Sequence, residues 1–337
     1  MLHGFKTMVT SVQELPTRPK IALIIINPNS GKKRGVKALA VIKPIFENAG
    51  IECKVFETTH AGHCAEICEK EDLTNIDILV PVGGDGTLHE ACNGLMARTD
   101  DAAKRVVIAA SPAGSGNTLA YDLGLVDVAQ AAEVAVAGKF RAIDLAAITT
   151  LDAAGQPVPG KRTLYSVNMI GWALPSKVMS TANSFRKCGC GAWYNYAINE
   201  YIITNDNYKA RITYKTADGV EHTQESKVAL MVVQNSVHIG AKLPLAPEAK
   251  LDDGLLDLSL VFNRNIISNV ITFNLAKKAK HTKRSQVMMV KCTEVTLQPL
   301  DDRLKGPDSV NVDGELTGPS PCRINVVPGA LRIFCPA

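Results

Sequence analysis

Leu79-Val80-Pro81-Val82-Gly83-Gly84-Asp85-Gly86-Thr87-Leu88-His89-Glu90 is an apolar run that empties into glycines around one carboxylate and then opens a helical pattern. It reads as strand, phosphate loop, helix. Thr87 and Glu90 have the spacing of a capping box, and Leu88, Ala91, Cys92 and Leu95 fall on one helical face behind it. Gly83, Gly84 and Gly86 let backbone N–H groups turn toward a ligand without Cβ obstruction, and a helix N-terminus adds its positive dipole end. Together they form an anion cradle. Asp85 sits inside it, where phosphate would repel a carboxylate unless it meets a metal or takes up a proton. The plainer alternative is a turn in which Asp85 satisfies backbone donors.

Working outward, the same strand–loop–helix unit recurs. Upstream, Ile21 to Ile26 is a continuous β-branched run, the mark of a strand covered on both faces, and it ends in the turn-rich Asn27-Pro28-Asn29-Ser30-Gly31. Val36 to Ala49 then reads as a helix, with Pro44 implying a kink or a late start. Glu52 to Thr58 and Gly62 to Asp72 supply the next strand and helix. Downstream, Val106 to Ala110 leads into Ser111-Pro112-Ala113-Gly114-Ser115-Gly116-Asn117, and Thr118 to Leu123 resumes as helix. Strands alternating with helices predict a parallel sheet, with ligands beyond its carboxyl ends, where these loops would meet.

The texture changes after Phe140. Leu151 to Arg162 is a connector bearing proline and glycine, and strand-like runs dominate the remainder: Thr163 to Ile170, Ala210 to Lys215, Lys227 to Val233, Leu255 to Val261, Val287 to Val290, Val295 to Leu297 and Arg323 to Val327. Helical patterns from about Lys177 to Thr204 and from Ile266 to Lys280 interrupt them. The expected organisation is a flexible leader over 1–19, an α/β nucleotide-binding domain over 20–147 and a mainly antiparallel domain over 148–337.

Composition bounds the function. The 337 residues are 46% hydrophobic and 21% charged, ordinary values for a folded chain of about two domains. A formal net charge of +4, with no basic stripe interleaved with aromatics, argues against a nucleic-acid partner. No segment has the roughly 18 apolar residues that span a bilayer, and Met1 to Lys20 lacks a signal-peptide pattern, so a cytoplasmic location is expected. The cysteines are odd in number and scattered, which fits reduced thiols.

The glycine loops are neither a Walker loop nor a dinucleotide fingerprint, since Leu119 stands where a third glycine would follow Gly114 and Gly116. His60, His63, Cys64 and Cys68 lack paired zinc-ligand spacing, and Cys188-Gly189-Cys190 is too tight for separately directed ligands. Asp313-Gly314-Glu315 is either a hairpin turn or a metal–nucleotide contact, because Mg²⁺ beside phosphates takes one or two carboxylates. Lys277, Lys278, Lys280, His281, Lys283 and Arg284 follow an apolar stretch. They read as a solvated helix end, or as a segment drawn to an anionic membrane.

These pieces resemble the diacylglycerol kinase catalytic-domain superfamily, and within it the sphingosine kinase-like lipid kinases. The matching stretches, in order, are Asn27 to Gly31, Thr58 to His63, Gly83 to Glu90, Pro112 to Asn117, Leu251-Asp252-Asp253-Gly254-Leu255-Leu256-Asp257, and Asp313 to Glu315. The resemblance implies a three-layer α/β domain followed by an antiparallel β-sandwich that holds the lipid, with ATP in the cleft between them. By that analogy Asn27, Pro28, Asn29, Thr58, Glu90, Gly114, Ser115, Gly116, Arg186, Asp313, Gly314 and Glu315 line the nucleotide, and Glu315 meets Mg²⁺. Gly83, Gly84, Asp85, Gly86 and Met179 meet the substrate, and Asp85 is the base that accepts the lipid hydroxyl proton. The implied activity is transfer of the γ-phosphate to a primary hydroxyl of a sphingoid base or related lipid alcohol, presented at a membrane surface; acylglycerols and ceramide are alternative acceptors.

One stretch departs from the family pattern. Gly171-Trp172-Ala173-Leu174-Pro175-Ser176-Lys177-Val178-Met179 aligns with a segment where sphingosine kinases carry acids, one of which binds the substrate ammonium. Here the positions hold Lys177 and Met179, and a second basic nucleotide position falls on Ala192. A cation there favours an acceptor without a free amine. An NAD kinase would share Gly-Gly-Asp-Gly but leave Pro112 to Asn117 unexplained, and a nucleotide- or lipid-binding protein without catalysis would leave Asp85 unexplained.

Overall fold

A six-residue run of Ile, Leu and Ala can only be a strand with both faces covered, and Ile21–Ile26 (β1) is buried at every position but its first. Ala22, Ile24 and Ile26 share a core with Ala38, Ile42 and Phe46 of the helix Arg34–Asn48 (α1). Leu23 and Ile25, equally buried, point to the other face by the two-residue alternation of a strand. The computed structural model describes residues 12–28, 34–186, 204, 206–240, 242–262 and 265–336. Asn29 and Ala192 lie outside the described residues, as do the Arg186 side chain and the segment Cys188 to Cys190.

The chain divides into two compact units. The first comprises the described parts of Met1–Leu145, Leu251–Gly254 and Val327–Ala337. Its parallel sheet runs in the order Glu52–Glu57 (β2), β1, Ile78–Gly83 (β3), Val107–Ile108 (β4), and then Arg332 and Ile333 near the chain's end. Ser111–Pro112 (β5) extends the pairing beside Val82 and Gly83. Its main helices are α1, His63–Lys70 (α2), Asp85–Met96 (α3), Thr118–Asp122 (α4) and Val128–Ala137 (α5), with a single helical turn at Ala102–Arg105. α1 runs uninterrupted through Pro44. Pro44 and Ala40 both lie on the exposed side, so the Ala40 carbonyl, left without an N–H partner, can turn to water.

A boundary drawn once at 147/148 misses the return of the C-terminal strand. Phe334 packs in the same core as β1, and burial of its ring together with the Val107 and Ile108 pairing ties the chain's end to the first unit. Asp144 fastens both returning segments. Its Oδ2 accepts from Gly254 N at 2.7 Å and its Oδ1 from Gly329 N at 2.8 Å.

The second unit, Ala146–Lys250 with Leu255–Val326, is antiparallel. Lys139–Thr150 (β6) enters it from the first unit and pairs with Leu164–Ser166 (β7). Met169–Ala173 (β8) leads directly into the helix Leu174–Arg186 (α6). Then follow Tyr208–Thr216 (β9), Glu221–Gln234 (β10), Leu256–Phe262 (β11), the helix Ile266–Ala276 (α7), Val287–Pro299 (β12), Gly306–Val312 (β13), Glu315–Ser320 (β14) and Cys322–Phe334 (β15). β10 pairs with β9 through its first half and with β8 and β11 through its second. β12 likewise pairs with β11 and then β9. Two long strands that change partners half-way join the layers of a β-sandwich. Trp172, Tyr208, Ile212, Leu258 and Leu297 fill it, with the Trp172 indole N–H donating to Leu304 O at 3.0 Å.

Candidate active site

Two glycine loops of the first unit meet backbone to backbone. A Cβ added to Gly114 would stand 2.2 Å from Gly84 Cα, so that position has no room for a side chain, and one added to Gly84 would stand a tight 3.2 Å from Gly114 Cα. Asn117 shapes the second loop. It adopts left-handed φ of 55°, which asparagine tolerates, and clasps Gly114 through both ends of its amide: Gly114 N donates to Oδ1 at 2.8 Å and Nδ2 donates to Gly114 O at 3.0 Å. The first loop's approach brings Asp85 onto the second. Thr118 N donates to Asp85 Oδ1 at 2.7 Å, the Thr118 hydroxyl lies 3.4 Å from Oδ2, and a Cβ at Gly116 would sit 2.4 Å from that same oxygen, so that the carboxylate would have to move. Asp85 remains half-exposed.

The asparagine loop joins them at the end of β1. Asn27 N donates to Val82 O at 3.2 Å, Gly35 lies so close under the Asn27 carbonyl that an added Cβ would collide, and Arg34 Nη1 reaches Gly114 O at 3.4 Å. Asn27, Pro28, Gly83 to Gly86 and Gly114 to Gly116 therefore gather at the carboxyl ends of adjacent parallel strands, the usual ligand position in such a sheet. Thr58 stands at the end of the neighbouring strand, its N–H donating to Ile26 O at 2.9 Å. Arg34, Asn117 and Thr118 carry no assigned role in the sequence reading. Only the αL tolerance of asparagine beside glycine could have pointed to one of them.

Glu90 does something other than its spacing predicts. The capping-box expectation fails because the glycines let the strand turn sharply enough for α3 to begin at Asp85, with Gly84 as N-cap and no side-chain cap. Thr87 is thus inside the helix. Glu90 instead accepts from Gly62 N at 2.9 Å and Cys64 N at 3.2 Å, capping α2, whose own N-cap is a glycine that offers no side chain. Beneath it the Cys64 thiol is held well above its ordinary value, first by its hydrogen bond with Cys68 and then by burial. It is a packed thiol rather than a nucleophile.

The remaining candidates belong to the second unit. Asp313 and Gly314 have φ of 50° and 97°, the pair of positive values that a two-residue hairpin turn of type I′ demands. Asp313 is buried, and its carboxylate accepts from the Ser166 hydroxyl at 2.8 Å and from the backbone N–H groups of Val167, Asn168 and Met169 at 2.9 to 3.0 Å. It anchors the chain that enters β8. Gly314 N donates to Asn311 Oδ1 at 2.9 Å, and Glu315 follows, half-buried, as the first residue of β14. α6 exposes Lys177 and buries Met179, and Arg186 is its last residue.

Residues 21–148 match the family model of the diacylglycerol kinase catalytic domain, and residues 169–335 match that of the YegS C-terminal NAD kinase beta sandwich-like domain. The chain belongs to the diacylglycerol kinase catalytic-domain superfamily. Among this superfamily member's relatives, sphingosine kinase 1 of Arabidopsis thaliana is 28% identical, over 89% of the chain and 69% of that protein. A diacylglycerol kinase of Bacillus subtilis is also 28% identical, over 90% of the chain and 92% of its own length. A crystal structure of a diacylglycerol kinase from Bacillus anthracis superposes with a TM-score of 0.71 at 23% identity, covering 94% of this chain and 97% of that one, a likeness of fold.

Proposed function

We propose that the protein is an ATP-dependent lipid kinase that transfers the γ-phosphate to the primary hydroxyl of a sphingoid base or related lipid alcohol. The observation that carries this reading is the half-exposed Asp85 carboxylate, fixed by Thr118 at the start of α3 between two loops of open backbone. Phosphoryl transfer asks a protein chiefly for positioning, charge neutralisation and an acceptor for one proton. The N-terminus of α3 and the glycine backbone suit phosphate oxygens, and Asp85 suits the hydroxyl proton. In that role the lipid oxygen bonds to phosphorus as the bond to the departing ADP breaks, and the proton passes to Asp85. Bound ATP with Mg²⁺ supplies the phosphoryl group and offsets its negative charge. Asn27, Pro28, Asn29, Thr58, Glu90, Gly114, Ser115 and Gly116 of the first unit are the proposed nucleotide residues, with Arg186, Asp313, Gly314 and Glu315 from the second. Asp313's oxygens accept several hydrogen bonds within the hairpin's own unit, and Glu315, the neighbouring carboxylate, is the proposed Mg²⁺ ligand.

Within that class an acceptor without a free amine is favoured, because the resemblance aligns the exposed Lys177 and the buried Met179 with acids of sphingosine kinases. A protonated amine would meet a cation where it needs an anion. The test is labelled ATP with Mg²⁺ and a panel of sphingoid bases, ceramides, mono- and diacylglycerols and NAD. A labelled lipid supports the reading and names the acceptor. Labelled NADP instead, or no product with any acceptor, overturns it.

A further inference from the structure

The helix α7 is reversed relative to an ordinary surface helix. Its buried face carries Ser268 and Thr272 with only Ala276 as an apolar residue, whereas Ile267 is 74% exposed and Ile266, Val270 and Ile271 are 40 to 45% exposed. The inward hydroxyls are engaged. Asn265 Oδ1 accepts from Ser268 N at 2.8 Å, the Ser268 hydroxyl donates to Gln286 Oε1 and accepts from Arg284 Nη2 at 2.9 Å, and the Thr272 hydroxyl donates to Ser268 O at 2.9 Å. A soluble helix normally turns its apolar stripe to the core. β-branched residues also have lower helix propensity than Lys, Glu or Ala, so an outward row of Ile and Val gains nothing within the chain.

The charges beside this row say what covers it. Lys277, Lys278, Lys280 and Lys283 are exposed just beyond the helix, and no Asp or Glu occurs between Asp257 and Glu294. Two copies of the face packed about a two-fold axis would set lysines near lysines with no acid in the segment to offset them. A bilayer with anionic lipid offers an acyl layer for the isoleucines and phosphates for the lysines. At 11 residues the helix is about 16 Å long, too short for a hydrocarbon core of about 30 Å, so it would lie along the interface.

We propose that α7 and the lysines that follow it form a surface that docks on membranes containing anionic lipid. The inference is independent of the kinase reading, since vesicle binding is measured without nucleotide or acceptor. The full chain is sedimented with vesicles of phosphatidylcholine alone and of phosphatidylcholine with phosphatidylglycerol. Wild type should pellet with the mixed vesicles and be released by salt. Lys278→Ala with Lys280→Ala should weaken that binding about 25-fold at low salt, near fivefold per lysine, with little change on neutral vesicles. Ile267→Asp with Ile271→Asp should abolish binding to both while leaving the melting temperature unchanged; if that variant does not fold, Ile267→Ser carries the test. The proposal fails if wild type does not pellet with anionic vesicles at low salt, or if these variants pellet as wild type does. It also fails if light scattering finds a wild-type dimer that Ile267→Asp makes monomeric, because the face is then covered by a second copy.

Discussion

Gly116→Ala isolates the role of Asp85 without touching its chemistry. The added Cβ would stand 2.4 Å from Asp85 Oδ2, where ordinary contact begins near 3.4 Å, so the carboxylate must withdraw by about 1 Å or the loop must open by as much. Either movement strains the 2.7 Å bond from Thr118 N. Gly116 is not among the positive-φ glycines, so alanine meets no backbone penalty there and the effect is steric. A displacement of about 1 Å at a reacting group costs on the order of 10²-fold in rate. Steady-state phosphorylation of the accepted lipid should therefore fall by about two decades, mostly in kcat, with a melting temperature within a few degrees of wild type. Val126→Ala, 79% exposed in the same unit and outside the site, is the control and should change little. A Gly116→Ala enzyme working at the parental rate would show that Asp85 lies outside the chemistry.

Asp85→Asn keeps size and loop but removes the proton acceptor, so lipid phosphorylation should drop by roughly 10²- to 10⁴-fold while calorimetry still detects ATP binding. Glu315→Gln should raise the Mg²⁺ concentration needed for half-maximal activity; an unchanged titration would leave Glu315 as a plain strand residue. Asp313→Ala should lower the urea midpoint by the equivalent of at least about 3 kcal/mol, because the N–H groups of Val167, Asn168 and Met169 lose their acceptor inside the protein. Burial, with Asp253 and Asp252 adding to it, pushes the Asp144 carboxyl up to about 6 against its two backbone hydrogen bonds. Its pKa is raised on folding from an unfolded value of about 3.9, so the folded state binds the extra proton. Its contribution, roughly 3 kcal/mol, is full below about pH 4 and lost as pH rises through about 6. Asp144→Asn should flatten that part of the stability–pH curve, and an unaltered slope would refute the assignment.

What was legible in the sequence is what local composition decides. Ile21 to Ile26 announces burial on both faces by containing nothing else, and the glycines at Gly84 and Gly114 announce a close approach because only their lack of a side chain permits it. Partners distant in sequence were not legible. Nothing near Glu90 says that it caps a helix beginning some 26 residues earlier, and nothing near Asp85 says that Thr118 holds it. Val287 to Val290 and Val295 to Leu297 read as two strands because Lys291 to Glu294 break the apolar pattern, yet they are one strand that changes partner at Cys292. The polarity between them marks the change of neighbour, not a loop. The return of Arg332 and Ile333 to Val107 and Ile108 was hidden for the same reason as Thr118, since a parallel pairing leaves no turn signal to read.

Asp85-Gly86 and Asp313-Gly314 are the same dipeptide put to opposite uses, and the backbone around each decides which. Asp313 sits at positive φ in a tight hairpin, which turns its side chain back onto three consecutive N–H groups and a hydroxyl, where it is buried. Protonating it would forfeit one of those bonds, and no lipid hydroxyl can reach it. Asp85 opens a helix at the end of a parallel strand, so its carboxylate projects forward from the sheet edge, half-exposed and steadied by one residue of the facing loop. A general base must be reachable as well as held. Of the two, only Asp85 meets both conditions, and it does so because Gly116 leaves the space that any other residue would occupy.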